Sequence, residues 1–305
     1  MQQKIQAAVD EIGTVLLGKE QQIRLALCCL VAGGHLLIED LPGMGKTTLA
    51  HALARVFGLD FNRIQFTSDL LPADILGVSI FDQASGSFNF HSGPIFRQLI
   101  LADEINRTTP KTQSALLEAM EEGQVSVEGE TRPLPSPFFV IATQNPVSLA
   151  GTFPLPESQL DRFLMRIGIG YPDPKAERAL LERGAESDRG ALITQMMSVD
   201  DLVAMRSAAN QVILSPLLLD YVQRIVAHTR ESEAYHFGLS PRGSIAVVRA
   251  ARTWAFLEGR QHAVPEDVQA ILPAVVEHRL RASTDGEGRT GSALTHRLMS
   301  EVDVF

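Results

Sequence analysis

The sequence predicts an α/β fold with a phosphate-binding core and an all-helical C-terminal part. Three observations predict it. An apolar run from Leu36 to Glu39 leads through Pro42-Gly43-Met44-Gly45 into Lys46-Thr47-Thr48 and a helical segment, Leu49 to Phe57. A second apolar run, Leu99 to Ala102, ends in the acid pair Asp103-Glu104. Beyond Pro172-Asp173-Pro174 the strand-like runs stop and helical periodicity takes over.

The first of these is chemically the most specific. Strand, glycine turn and helix in that order form the context a phosphate loop requires. The glycines let the backbone curl until its N–H groups face an anion, and the new helix adds its positive end. Lys46 can reach the outer phosphates, and the Thr47 hydroxyl can bind Mg²⁺. The generic pattern G-x-x-x-x-G-K-[ST] has glycine where this chain has Asp40.

In chain order, residues 4 to 13 and 20 to 32 read as helices, the first with Ile5, Ala8, Val9 and Ile12 on one side. Strand one is His35 to Glu39, and Phe61 to Thr67 reads as strand two. Leu70 to Gly77 reads as a short helix or turn. Val78 to Phe81 and Ser87 to Phe90 read as a hairpin inserted where a helix is expected, with Gly93-Pro94-Ile95-Phe96 resuming that helix. Leu99 to Glu104 reads as a buried parallel strand. It carries Asp103 and Glu104 to the C-terminal sheet edge, where ligands of open α/β sheets bind. Asp103 would belong to the Mg²⁺ shell, and Glu104 would activate the attacking water. Thr112 to Glu122 is helical, and Gln124 to Glu128 with Thr131 to Leu134 forms a second hairpin. Phe138 to Thr143 is strand four, which brings Asn145 to the same edge as Glu104. Pro156 to Phe163 reads as a helix with Glu157, Asp161 and Arg162, and Met165 to Ile169 as strand five.

The domain boundary falls at Pro172, giving an αβα core over 1–172 and a helical domain over 173–305. The latter's helices lie near 175–184, 199–210, 215–232, 240–258 and 265–281, several opened by Ser-Pro pairs (Ser215-Pro216, Ser240-Pro241). Ser283 to Gly291 reads as loose, before a last helix from Leu294.

Composition narrows the function. Of 305 residues, 45% are apolar, enough for a real core, and the formal charge of −9 argues against a broad nucleic-acid footprint. Cys28 and Cys29 are adjacent in an apolar helix, which favours burial over a disulfide or metal site. The polar N-terminus lacks a signal-peptide pattern, and no apolar run approaches the ~20 residues of a membrane span. A cytoplasmic protein is expected.

Taken together, the phosphate loop, Ala102-Asp103-Glu104-Ile105-Asn106-Arg107, Ala142-Thr143-Gln144-Asn145-Pro146, Glu157-Ser158-Gln159-Leu160-Asp161-Arg162-Phe163 and Leu239-Ser240-Pro241-Arg242 resemble the MoxR-type AAA+ ATPases. The likeness runs from about Ile5 to Arg281. It implies a P-loop AAA+ core whose five-stranded parallel sheet is ordered 5-1-4-3-2, followed by a helical lid, with ATP and Mg²⁺ as ligands. Lys46 and Thr47 match Walker A, Asp103 and Glu104 Walker B, and Asn145 sensor 1. Arg242 matches sensor 2, which reaches nucleotide in cis. Arg162 matches an arginine finger offered to the neighbouring subunit, with Arg107 left as an alternative. Gly18, Pro42, Gly43, Met44, Gly45 and Thr48 would complete the nucleotide contacts. The resemblance further implies a homo-hexameric ring, a von Willebrand factor A domain partner and a protein client.

Local chemistry leaves other roles open for the arginines. Arg162 could pair with Asp161 or Glu157 in its own helix, and Arg242 could be an exposed first-turn arginine. Two other functions compete with remodelling of proteins. One is a nucleic-acid motor, against which stand Glu128 and Glu130 beside Arg132 in the second hairpin. The other is a nucleotide-gated scaffold that scarcely hydrolyses ATP, against which stand Glu104 and Asn145.

Overall fold

The computed structural model describes residues 1–84, 86–145, 151–183, 193–282 and 291–304. Its centre is a five-stranded parallel sheet of β1 (Leu36–Glu39), β2 (Phe61–Gln65), β5 (Leu99–Asp103), β8 (Phe139–Gln144) and β9 (Met165–Ile167), in the order β2-β5-β8-β1-β9. Counting only these five, that order is the expected 5-1-4-3-2. The strands read as unbroken apolar runs because both faces are covered. Leu36, Ile38, Leu99, Leu101, Phe139 and Ile141 face one core, and Leu37, Ile100, Ala102, Val140 and Ala142 face the other. This is the period of two that a strand imposes.

On the first face lie α1 (Gln2–Gly13), α2 (Glu20–Val31) and α3 (Lys46–Phe57), which bury Ile5, Ile12, Leu27 and Leu53. Cys28 and Cys29 are wholly buried there as free thiols. Burial, with Cys29 and Asp267 adding to it, raises the Cys28 pKa well above the ordinary thiol value; the Cys29 thiol is pushed up to about 12. On the second face α5 (Pro110–Glu122) packs Leu116, Leu117 and Met120.

Two hairpins leave this core: β3 (Gly77–Asp82) with β4 (Ser87–Ser92), and β6 (Gln124–Val127) with β7 (Glu130–Pro133). They touch each other, because the Arg132 guanidinium sits 4.0 Å from the centre of the Phe90 ring. No helix resumes at Gly93. The chain is held instead against the end of α4 (Pro72–Leu76), where Ile95 N–H donates to the Ile75 carbonyl at 3.3 Å. A Cβ on Gly93 would come within 2.1 Å of that same oxygen, so the close return needs glycine. The helix expected from Pro156 shortens to α6 (Glu157–Leu160), and Phe163 turns into the core.

The C-terminal part holds α7 (Pro174–Arg183), α8 (Val199–Asn210), α9 (Pro216–Glu231), α10 (Pro241–Leu257), α11 (Pro265–Val276) and α12 (Gly291–Glu301). The Ser-Pro starts behave as capping chemistry predicts. Ser215 accepts from Leu218 N–H at 3.1 Å, and Ser240 from Gly243 N–H at 3.0 Å. This region is not wholly helical. Tyr235–Phe237 (β10) and Arg281–Ala282 (β11) form a small antiparallel sheet, which also stops α11 short of residue 281. Residues 283–290, expected to be loose, lie outside the described residues. α10 packs on α2, and α11 on β9, so the helical part is seated against the sheet's flank.

Candidate active site

The phosphate loop sits where β1 ends. Gly43 and Gly45 adopt positive φ, 83° and 91°, and a Cβ on Gly45 would lie 2.8 Å from Leu16. Backbone freedom and space therefore both call for glycine at 45. Asp40 has a different task. Its Oδ2 accepts the N–H groups of Ile169 (2.7 Å) and Gly170 (2.6 Å), and its Oδ1 accepts that of Leu41 (2.8 Å). The residue that replaces the generic glycine thus ties the loop's first turn to the chain leaving β9.

Lys46 is buried to 9% exposure. Its Nζ donates to the Asp40 carbonyl at 2.7 Å and to Asn145 Oδ1 at 3.0 Å. Burial lowers its pKa, while Asp40, Asp103 and Glu104 pull the other way. Asn145 Nδ2 in turn donates to Glu104 Oε1 at 3.1 Å. Lysine, amide and glutamate therefore form one hydrogen-bonded chain.

Glu104 adopts the left-handed conformation with φ 58°, rare for a residue with a side chain. Its N–H donates to Thr143 Oγ1 at 2.9 Å, and Thr143 O–H donates to Asp103 Oδ1 at 2.6 Å. β8 thereby fixes both acids. Pro42, Gly43, Gly45, Lys46, Thr47 and Thr48 line a cavity of about 360 Å³ together with Asp103, Glu104 and Asn145. Loop glycines, a buried lysine, a hydroxyl and an acid fit a triphosphate with a divalent cation. Thr47 and Asp103 would supply the protein's share of the Mg²⁺ shell, and phosphates and water the rest.

Not every expected residue is here. Met44 packs its side chain against the core. Gly18 does not line the cavity; it lies beside Asp173 and Ala176, in the segment whose Leu16 touches Gly45. Arg107 donates to Glu104 Oε2 at 2.9 Å. Arg242, which the family resemblance implies reaches nucleotide in cis, is not among the residues lining this cavity. Arg242 lines a second cavity, of about 460 Å³, with Gly33, Gly34, Glu121, Arg162, Arg249 and others. Gly33 and Gly34 precede β1, and Glu121 lies in the last turn of α5, so this cavity opens at the sheet's N-terminal edge, a strand's length from the phosphate loop. The reason is the seating of α10 on α2. Arg162 pairs there with neither Asp161 nor Glu157. Its Nη2 lies 3.2 Å from Glu121 Oε2, and Arg242 holds the other Glu121 oxygen. Asp161 belongs to Arg279 at 2.6 Å and Ser240 at 3.0 Å; Glu157 belongs to Arg281 at 2.6 Å.

Two site residues carry no sequence motif. Arg63 Nη2 donates to Asp103 Oδ2 at 2.6 Å, and Gln65 Nε2 to Glu104 Oε2 at 2.9 Å. Both lie on β2, which pairs with β5 so that Gln65 stands opposite Asp103. Their alternation in Asn62-Arg63-Ile64-Gln65 was the available signal. It gains meaning only once β2 is known to border the acid-bearing strand.

Comparison with known proteins agrees with this geometry. Residues 35–165 match the model of an ATPase family associated with various cellular activities (AAA), and residues 227–298 match an AAA lid domain. The chain is 41% identical to "Chaperone MoxR1" of Mycobacterium tuberculosis, over 92% of this chain and 76% of that protein. It is 33% identical to "Protein MoxR" of Methylorubrum extorquens, over 88% and 85%. It is 44% identical to "Uncharacterized protein YeaC" of Bacillus subtilis, over 97% and 93%. A crystal structure from Cytophaga hutchinsonii titled a "putative ATPase" superposes with a TM-score of 0.90 at 37% identity, covering 99% of this chain and 95% of that one. With the phosphate loop, the paired acids and the sheet order already in place, these matches mean that the chain belongs to the MoxR family of AAA+ ATPases.

Proposed function

We propose that this ATPase works as a homo-hexameric ring that spends ATP on remodelling or activating a client protein. The observation that supports it most is the chain Lys46–Asn145–Glu104, which links the phosphate-binding lysine to the base through one amide. In this reading the loop N–H groups and Lys46 hold the triphosphate. Glu104 orients the attacking water and takes its proton. Asn145 reports the γ-phosphate to Glu104. Thr47 and Asp103 would hold Mg²⁺, which when bound would supply charge neutralisation on the transferring group.

Arg162 and Arg242 sit together at the opposite sheet edge, and both act in trans on the nucleotide of the neighbouring copy. A trans arginine is worth ~10³–10⁵ in rate in the GTPase case, so turnover depends on assembly. The division into a core over 1–172 and a lid over 173–305 belongs to the same proposal, with Gly18 and Asp173 near the hinge. The two hairpins, coupled by Arg132 and Phe90, are the elements that move against the client. That a relative is named a chaperone supports a client protein. A von Willebrand factor A domain partner and a cytoplasmic setting complete the reading. Among the described residues no helix is long and apolar enough to cross a membrane.

A nucleic-acid motor draws less support. Arg132, the basic residue of the second hairpin, is engaged by Phe90 and Glu130. The test is Glu104→Gln, with ATP binding and hydrolysis measured separately. Binding should be retained while turnover falls by about 10²–10³-fold. Unchanged turnover would remove Glu104 from the mechanism.

A further inference from the structure

The cavity at the sheet's N-terminal edge holds more positive charge than it neutralises. Four arginines line it, Arg162, Arg242, Arg249 and Arg279, against the carboxylates Glu121 and Asp161. Asp161 is already committed. It accepts from Arg279 Nε at 2.6 Å and from the Ser240 hydroxyl at 3.0 Å. Arg279 is saturated, since it also donates to the carbonyls of Phe163 (2.6 Å), Leu164 (3.2 Å) and Val275. That pair is structural and ties the end of α6 to the chain just beyond α11.

Three arginines then remain for one carboxylate. Glu121 gives one oxygen to Arg162 and the other to Arg242. Arg249 receives nothing from it, and among the described residues its buried Nε has no acceptor. Arg249 is partly buried, no ion pair holds it among the described residues, and desolvation lowers its pKa. The cavity is therefore short of anionic charge. The Glu121 pairs are also of the exchangeable kind. The side chains of Arg162, Arg242 and Glu121 are 29%, 49% and 31% exposed, a setting in which water competes for each partner.

We propose that Glu121 is an exchangeable counter-ion, standing in the resting subunit where phosphate oxygens of a second copy's triphosphate bind Arg162 and Arg242 in the assembled ring. A carboxylate spanning two guanidinium groups reproduces the acceptor geometry of a phosphate edge. Its single charge leaves Arg249 unmet, which a triphosphate's larger charge would correct. Glu121 thus keeps the arginines ordered before assembly and competes with the incoming nucleotide during it. It is a positioning residue, acting through Arg162 and Arg242. Its place on α5 has a consequence, for Gly123 and β6 follow directly. Losing both arginines frees the end of α5 next to the second hairpin.

This inference rests on the trans reading of the two arginines, and one experiment separates them. Self-association of the full chain is followed by sedimentation against protein concentration, with Mg²⁺ and a slowly hydrolysed ATP analogue. The wild type, Glu121→Gln and Glu121→Asp are compared. An ordinary structural ion pair, once removed, would weaken assembly. A competitor, once removed, strengthens it. Glu121→Gln should lower the midpoint concentration by about tenfold. Glu121→Asp, too short to hold both arginines, should lower it by a smaller factor, and carries the test if the glutamine variant does not fold. A midpoint unchanged or raised in the folded variants overturns the role of Glu121 and leaves the trans arginines standing. A wild type that does not associate with the analogue at all overturns both.

Discussion

Asp40 shows how a single residue departs from a motif and still serves it. Glycine is favoured at the start of a phosphate loop for its backbone freedom, yet φ at Asp40 is not positive, and the carboxylate binds three N–H groups. Such charge-assisted bonds contribute about 1.5–3 kcal/mol each at most. Asp40→Gly restores the generic string, and nucleotide titration should nonetheless find affinity about tenfold weaker. Equal or tighter binding would mean that the tie to Ile169 and Gly170 does nothing for the loop. At this scale Lys46, Asp103, Glu104 and Asn145 were legible, because each stands inside a short string whose strand context is local. Arg63 and Gln65 were not. Their partners lie 40 and 39 residues away, across a strand pairing that no single segment encodes.

Elements were read well where the pattern lay within one short segment. All five core strands and both hairpins came from apolar runs and alternation. Reading failed where a tertiary contact decided, as at Gly93, held to α4, and at β10 and β11, which pair across 44 residues between Phe237 and Arg281. Two histidines, the partly buried His35 and the buried His278, join elements and give these contacts a measurable signature. Val140 N–H donates to His35 Nδ1 at 3.0 Å, so the ring's proton is on Nε2, which donates to the Met120 carbonyl at 3.1 Å. Burial lowers the His35 pKa to about 4, and places that of His278, bonded to the Phe163 carbonyl, well below the ordinary value. Below an unfolded pKa of 6.5 the unfolded chain takes up protons that the folded chain refuses. Stability is therefore full above pH 6.5 and is lost as pH falls toward about 4, by up to ~1.4 kcal/mol per unit for each ring. Urea midpoints between pH 7.5 and 5.5, a range above most carboxylate titration, should show this slope. His35→Gln, which can keep both hydrogen bonds, should flatten it by about half.

At the scale of the molecule, the seating of the helical part decides where Arg242 lies. The family resemblance assigned Arg242 to its own subunit's nucleotide. Packing of α10 on α2 and α11 on β9 puts it beside Arg162 instead, at the far edge of the sheet. Nothing in the string Leu239-Ser240-Pro241-Arg242 reports that docking, because it depends on interfaces among Leu27, Ala246, Val247 and their neighbours in a shared core. On the proposed trans reading, the hydrolytic site of this ATPase is divided between two copies, with Glu104 from one and Arg162 from the next. The most direct measurement is ATP turnover of two disabled variants, Glu104→Gln and Arg162→Ala, alone and mixed in equal amounts. Each alone should be nearly inactive, while the mixture should recover a sizeable fraction of wild-type turnover at interfaces that combine an intact Glu104 with an intact Arg162. A mixture no more active than its parts, or an Arg162→Ala form fully active by itself, would contradict the account.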